Sequence, residues 1–220
     1  MKKIIKKFMQ DSMNCLTRVL VKTRLGRYAA DQFLNSAMSS HQIVHHGDAE
    51  LAFVVPNSLN LFRAHTFSSK EPETLEWIDQ IPHGSVLWDI GANVGLYSCY
   101  AAKRGCKVFA FEPSVFNLEL LARNIHLNDL VEEIVIIPLP LTSAQKISTL
   151  NMTSTEWGGA LSTFGENYGW DRSSIIDIFE YGTIGIRMDD VNSSMAIPTP
   201  DFIKMDVDGI EHLILSGGEQ

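Results

Sequence analysis

From Ser85 onward the apolar residues come in two alternating textures. Short apolar runs, SVLWDI (85–90), KVFAFE (107–112), EEIVIIPLPL (132–141) and DFIKMDV (201–207), read as buried strands. Between them, GLYSCYAAKRG and SVFNLELLARNIHLN space their apolar residues three and four apart. Leu118, Leu121 and Ile125 thereby fall on one helix face. Another helix opens at Gly209 after the fourth run. Strands alternating with helices require crossover connections, so the pattern predicts an α/β fold with a doubly wound, mostly parallel sheet. Pro138 and Pro140 lack the N–H that an inner ladder needs, which puts the third strand at an edge. That placement fits the strand order 3-2-1-4.

Upstream, LAFVV (51–55) and LNLFR (59–63) flank Pro56-Asn57-Ser58 and predict a β-hairpin. In SSKEPETLEWIDQI, Ser68 precedes Glu71 by three residues and Pro72 follows, a helix start whose helix runs to about Asp79. The chain divides into a basic helical arm, residues 1–40, and a domain over 41–220 whose core begins near residue 71. The stretch 142–200 is polar and Gly-rich, with IGIRM (184–188) as an extra strand. Its place is over the carboxyl end of the sheet, where ligand-covering insertions sit. Four core strands are few for such a sheet, so we expect it to be truncated after the fourth.

Charge sharpens the division. Residues 1–27 carry eight bases against Asp11 alone, a net +7, while the whole chain is −8 and the remainder therefore −15. An acidic body opposes nucleic-acid binding, which needs cations to displace phosphate counterions. The arm reads as a solvated amphipathic helix packed against the domain, its apolar residues interrupted every few positions. Contact with an anionic membrane surface or a partner is the alternative reading. No stretch approaches the roughly 20 apolar residues of a membrane span, and no signal-peptide pattern precedes the domain. Cys15, Cys99 and Cys106 form no CxxC pair, which fits a reducing cytoplasm. Oligomeric state leaves no mark in the sequence.

The turn after the first strand, VLWDIGANVGLYS (86–98), carries the chemistry. A dinucleotide fingerprint needs G-x-G-x-x-G/A, but Asn93 and Leu96 occupy its second and third positions. A nicotinamide-dependent oxidoreductase is disfavoured on that ground. No Gly-Lys-Ser/Thr follows, so this is no phosphate-binding P-loop either. The loop instead reads D-x-G-x-x-x-G, with Asp89, Gly91 and Gly95. An acid at the strand end repels a pyrophosphate but attracts an ammonium, by about 4 kcal/mol gross at ~4 Å and an effective dielectric of ~20. S-adenosylmethionine has an ammonium, a ribose and no phosphate. Glu112 ends the second strand 21 residues after Gly91 and can accept from both ribose hydroxyls. Gly91 serving only a tight turn and Glu112 only the start of the next helix are the structural alternatives.

EPETLEWID (71–79), VLWDIGANVGLYS (86–98), VFAFEPSVFNLELLARNIHLN (108–128) and FIKMDVDGIEHLILSGGE (202–219) resemble the blocks of the FkbM-type methyltransferases. GGALSTFG (158–165) resembles a weaker block of that family. The resemblance, over about residues 50–220, implies a class I, Rossmann-like methyltransferase fold. It also implies S-adenosylmethionine as cofactor and O-methylation of a sugar, polyketide or other small hydroxyl compound. The cofactor role falls on Asp89, Gly91, Asn93, Gly95 and Glu112, with Asn124 added from the following helix. Where the family writes DVEG, this chain has Asp206-Val207-Asp208-Gly209, and the family continues past residue 220. A non-catalytic cofactor-binding or partner module is therefore the alternative to an enzyme.

Methyl transfer needs a base beside the acceptor oxygen. Lys204, Asp206, Asp208, Glu211 and His212 cluster at the end of the fourth strand. Asp206 faces the crevice and can act as base or hold a Mg²⁺ that acidifies the hydroxyl. Lys204 shares its strand face and can support it by an ion pair. Asp208 and Glu211 are spaced like a near-capping box, which competes with a catalytic role for both. His41, His45, His46 and Asp48 match no zinc spacing and read as loop residues.

Overall fold

A computed structural model of the chain describes residues 2–169, 173, 174 and 176–218. Trp170, Asp171, Arg172 and Ile175 of the polar insert, and Glu219 of the last resemblance block, lie outside the described residues, as do the side chains of residues 2–4 and 6. Two compact units are present, Met1–Ser40 and His41–Gln220.

The first unit is α1 (Lys2–Leu20) and α2 (Arg24–Ser39), with Thr23 capping α2 by accepting from Gly26 N. Ile5, Phe8, Met9, Met13, Leu16, Val19 and Leu20 of α1 are each at least half exposed. They form one continuous helix face, so the interruptions in the sequence do not break it.

The second unit opens with an antiparallel hairpin, β1 (His41–His46) and β2 (Ala49–Val54), turned at Gly47-Asp48. This corrects the predicted hairpin. LAFVV pairs backward with HQIVHH, and residues 59–63 lie in α3 (Ser58–His65), because the Asn57 side chain accepts from Asn60 N and starts a helix. His41, His45 and His46 are thus strand residues, and the His46 ring stands edge-on to Tyr100 at 5.4 Å. The helix signal at Ser68 resolves into α4 (Phe67–Lys70) and α5 (Pro72–Asp79). Pro72 occupies the first turn of α5, with no side-chain cap from Glu71.

The alternating region forms β3 (Val86–Ile90), α6 (Leu96–Lys103), β4 (Lys107–Phe111), α7 (Val115–Leu127) and β5 (Ile134–Ile137). The insert forms a three-stranded antiparallel sheet of β6 (Lys146–Met152), β7 (Ser162–Phe164) and β8 (Phe179–Gly185). Then come α8 (Met188–Met195), β9 (Phe202–Met205) and α9 (Glu211–Leu215). Residues 184 and 185 of IGIRM end β8, and α8 begins at Met188. The parallel sheet runs β5-β4-β3-β9. β5 stops at Ile137, so Pro138 and Pro140 follow the strand and do not interrupt it.

Side chains alternate between two cores. Leu87, Val108 and Ala110 pack toward the hairpin, α6 and α7. Trp88, Ile90, Phe111 and Ile137 pack toward Val191 of α8 and Ile214 of α9. Both faces of the sheet are thereby closed, leaving its carboxyl end for a site.

Candidate functional site

β3 ends at Ile90 and the chain reverses through three left-handed residues, Gly91 (φ +82°), Asn93 (φ +52°) and Gly95 (φ +81°). A Cβ on Gly91 would lie 2.0 Å from the Asp206 carbonyl, so β9 approaches the turn as only glycine permits. Asparagine tolerates the left-handed region, and its Oδ1 accepts from Val94 N at 2.9 Å. Gly91 N and Ala92 N both donate to the Phe111 carbonyl.

Glu112, one residue past β4, is 5 % exposed. Its Oε2 accepts from Asn93 N and its Oε1 from Ser114 N, both at 2.8 Å. Burial pushes this carboxyl up to about 7, with the Asp89 charge adding and the amide hydrogen bonds opposing. No cation pairs with Glu112 among the described residues. A buried carboxylate held only by neutral donors at the wall of a cavity is chemically suited to ligand hydroxyls.

That cavity, about 570 Å³, has Gly91, Asn93, Glu112 and Asp206 on its polar side and Phe111, Leu139, Pro140 and Ile214 on its apolar side. A second cavity, about 800 Å³, opens on the other side of the turn, walled by Phe62, Arg63, Glu71, Tyr97 and Lys204. The two meet at Gly91, Asn93 and Asp206. In the second, Lys70 Nζ and Tyr97 Oη donate to Glu71 at 2.8 and 2.9 Å. Burial raises the Glu71 carboxyl, but these hydrogen bonds and the lysine charges outweigh it and leave the group lowered.

Residues 157–161 of the insert form a strap beside the turn, bound by side chains from several elements. Asn93 Nδ2 and Asn117 Nδ2 donate to the Gly159 carbonyl at 3.0 and 3.1 Å, and Gly158 N donates to Asn117 Oδ1 at 3.1 Å. Arg63 Nη2 donates to the Gly158 carbonyl at 2.6 Å, and Leu161 N to Asp208 Oδ2 at 2.7 Å.

The predicted site residues separate accordingly. Gly91, Asn93, Glu112, Asp206 and Asp208 line the first cavity, and Lys204 lines the second. Asp89 lines neither. It is 1 % exposed, accepts from Ser98 Oγ at 2.6 Å and pairs with Lys204 Nζ at 3.1 Å. It neutralises a lysine beneath the turn and does not face a ligand ammonium. Burial lowers the Lys204 ammonium, but the charges of Asp89 and Asp206 outweigh it, so the group is raised. The predicted support of Asp206 by Lys204 gives way to this pair.

Gly95 caps α6 against Leu121 and lines neither cavity. Asn124 is also structural: its Oδ1 accepts from Val54 N at 2.8 Å and its Nδ2 donates to the Val94 carbonyl at 2.7 Å. Asp208 (φ +59°) binds the strap, and burial raises its carboxyl despite the Leu161 N–H. Of the near-capping box only Glu211 acts locally, accepting from Gly209 N at 3.2 Å. His212 is exposed on α9. Among the described residues no group of three or more His, Cys, Asp or Glu could hold a metal ion, so the Mg²⁺ reading of Asp206 has no ligand set.

Arg63, Glu71, Tyr97 and Asn117 were not singled out for the site in the sequence. Glu71 reads in the sequence only as part of a helix start, and nothing there marks Asn117. Arg63 lies on a helix where the sequence pattern reads as a strand, which hides its helical face.

Residues 89–220 match the methyltransferase FkbM domain, and the chain belongs to that family. Among curated proteins it is 26 % identical over 165 residues to the hexuronic acid methyltransferase AglP of Haloferax volcanii, covering 75 % of this chain and 63 % of that protein. It is 33 % identical over 69 residues to the methyltransferase sdnD of Sordaria araneosa, covering 30 % and 27 %. The chain thus spans less than two thirds of either relative. A solved S-adenosylmethionine-dependent methyltransferase from Agrobacterium tumefaciens aligns with a TM-score of 0.36 at 16 % identity, over 44 % of this chain and 32 % of that one.

Proposed function

We propose that the chain is an S-adenosylmethionine-dependent methyltransferase acting on a hydroxyl of a sugar, polyketide or other small molecule. The observation that carries this reading is the buried Glu112 carboxylate, fixed by two amides and facing a cavity without a cation. Ribose hydroxyls complete its hydrogen bonding, and the apolar wall of Leu139 and Pro140 suits an adenine. In the second cavity Lys70 is matched by Glu71 and Lys204 by Asp89, which leaves Arg63 and Asp206 with opposite charges. That pair suits the α-carboxylate and α-ammonium of an amino acid. A ligand with a nucleoside at one end and an amino acid at the other would span both cavities across Gly91.

When bound, the cofactor supplies an electrophilic methyl group on its sulfonium. The protein's part is to seat the ribose on Glu112, to hold the turn through Asn93 and to align the acceptor oxygen. Asp206, exposed where the cavities join, is the candidate base. The name of the Haloferax relative makes carboxylated sugars the first acceptors to try.

Isothermal titration with S-adenosylhomocysteine and NAD⁺, on wild type and Glu112→Ala, tests the cofactor reading. Micromolar binding of S-adenosylhomocysteine alone, weakened at least tenfold by the substitution, is expected. Binding of NAD⁺ instead, or of neither ligand by a folded sample, would overturn it.

A further inference from the structure

The arm carries more exposed apolar surface than a solvated helix needs. Besides the α1 face, Leu25, Tyr28, Phe33 and Leu34 of α2 are each more than half exposed. Apolar patches of this extent on soluble domains mark a binding surface. Charge identifies what covers it. The first 27 residues hold +7, whereas the rest of the chain holds −15. Lys7 and Arg18 project from the side of α1 opposite Met9 and Leu16, and Lys22, Arg24 and Arg27 follow at the turn into α2.

We infer that residues 1–40 dock in the plane of an anionic lipid surface, with α1 laid along the interface. Its 19 residues extend about 28 Å. No described helix is long and apolar enough to cross a membrane, so the arm lies on the bilayer. The exposed apolar residues of α1 spread over about 140° of the helix circumference. That is wider than the narrow a/d seam of a coiled coil, and it favours a lipid surface over a second copy. The acidic body is repelled by the same surface, which makes the arm the contact.

The test is co-sedimentation of the full chain with phosphatidylcholine vesicles, with and without 30 % phosphatidylglycerol. Anionic vesicles are expected to bind at least tenfold better than neutral ones. Phe8→Glu/Leu16→Glu should abolish binding, and each of Lys7→Gln and Arg18→Gln should weaken it about fivefold. Raising the salt to 0.5 M should weaken wild-type binding further. A polarity-sensitive dye on the exposed Cys15 should shift to the blue on anionic vesicles only; Cys99 and Cys106 are buried. Failure to bind anionic vesicles overturns the inference. So does a dimer in sedimentation that Phe8→Glu/Leu16→Glu converts to monomer without any vesicle effect. S-adenosylhomocysteine titration of each variant separates loss of the arm from loss of the domain.

Discussion

Asp89 and Lys204 face each other in register across β3 and β9, and Lys204 Nζ lies 3.1 Å from Asp89 Oδ1. Their side chains are 1 % and 10 % exposed, and Ser98 Oγ donates to the other carboxylate oxygen. A carboxylate at the end of a central strand thus serves the sheet and is spent on Lys204 and Ser98 beneath the turn. Removing one partner leaves a buried charge uncompensated. Lys204→Met is expected to destabilise the domain by about 3–5 kcal/mol in urea unfolding. Asp89→Asn/Lys204→Met should recover at least half of that. A double variant as unstable as the single one would show that the pair is not the source.

Glu112 makes stability depend on pH in an unusual direction. Its carboxyl is pushed up from 4.5 to about 7 in the fold, so folding favours the protonated form. The unfolded chain releases this proton near 4.5 and the folded one near 7. Stability is therefore greatest below the lower value and declines as pH rises between the two, by up to roughly 3 kcal/mol. Thermal melts from pH 5 to 8 should show this decline in wild type and a flatter profile in Glu112→Gln. Ribose hydroxyls need the ionised acceptor, so S-adenosylhomocysteine affinity should fall below pH 7.

Asn124 joins the hairpin to the glycine turn, and its neighbour one helical turn on, Asn128, exchanges two hydrogen bonds with Ala52 of β2. Asn124→Ala strands Val54 N and the Val94 carbonyl in the interior. A loss of about 2–4 kcal/mol is expected. Hydrogen exchange should rise at the Val54 N–H, which loses its acceptor, and at the Val94 N–H, whose turn loosens when the Val94 carbonyl loses its donor. Faster exchange at one of them alone would mean that the two segments are held independently.

Asn117, 3 % exposed, holds the strap by both its side-chain atoms. Asn117→Ala should speed proteolysis within residues 157–161 and weaken S-adenosylhomocysteine binding, because Gly159 and Ala160 wall the cavity. Unchanged affinity with a loosened strap would separate the strap from ligand retention.

The core elements are legible in the sequence because each is specified locally. The run VLWDI and the spacing of Leu121 and Ile125 report burial on a strand and on a helix within a single window. The turn is legible for the same reason, since Gly91, Asn93 and Gly95 are the residue types that accept a left-handed backbone. The hairpin is not legible in the same way, because the partner of LAFVV is set by pairing, and both neighbouring segments are apolar enough to pair. Asn57 decides it by capping a helix, a side-chain hydrogen bond that composition leaves equally open to a turn.

The sequence by itself determined the alternation of strands and helices, the left-handed turn and an acid just past the second core strand, because all three follow from local backbone preference and burial period. Only the tertiary structure decided which polar residues face the cavities. Asp89 and Asn124 are satisfied by Lys204, Val54 and Val94, while Arg63, Glu71 and Asn117 are brought to the site from three separate segments. A buried polar group takes whichever partner the fold places within hydrogen-bond reach, and residues distant in sequence supply those partners.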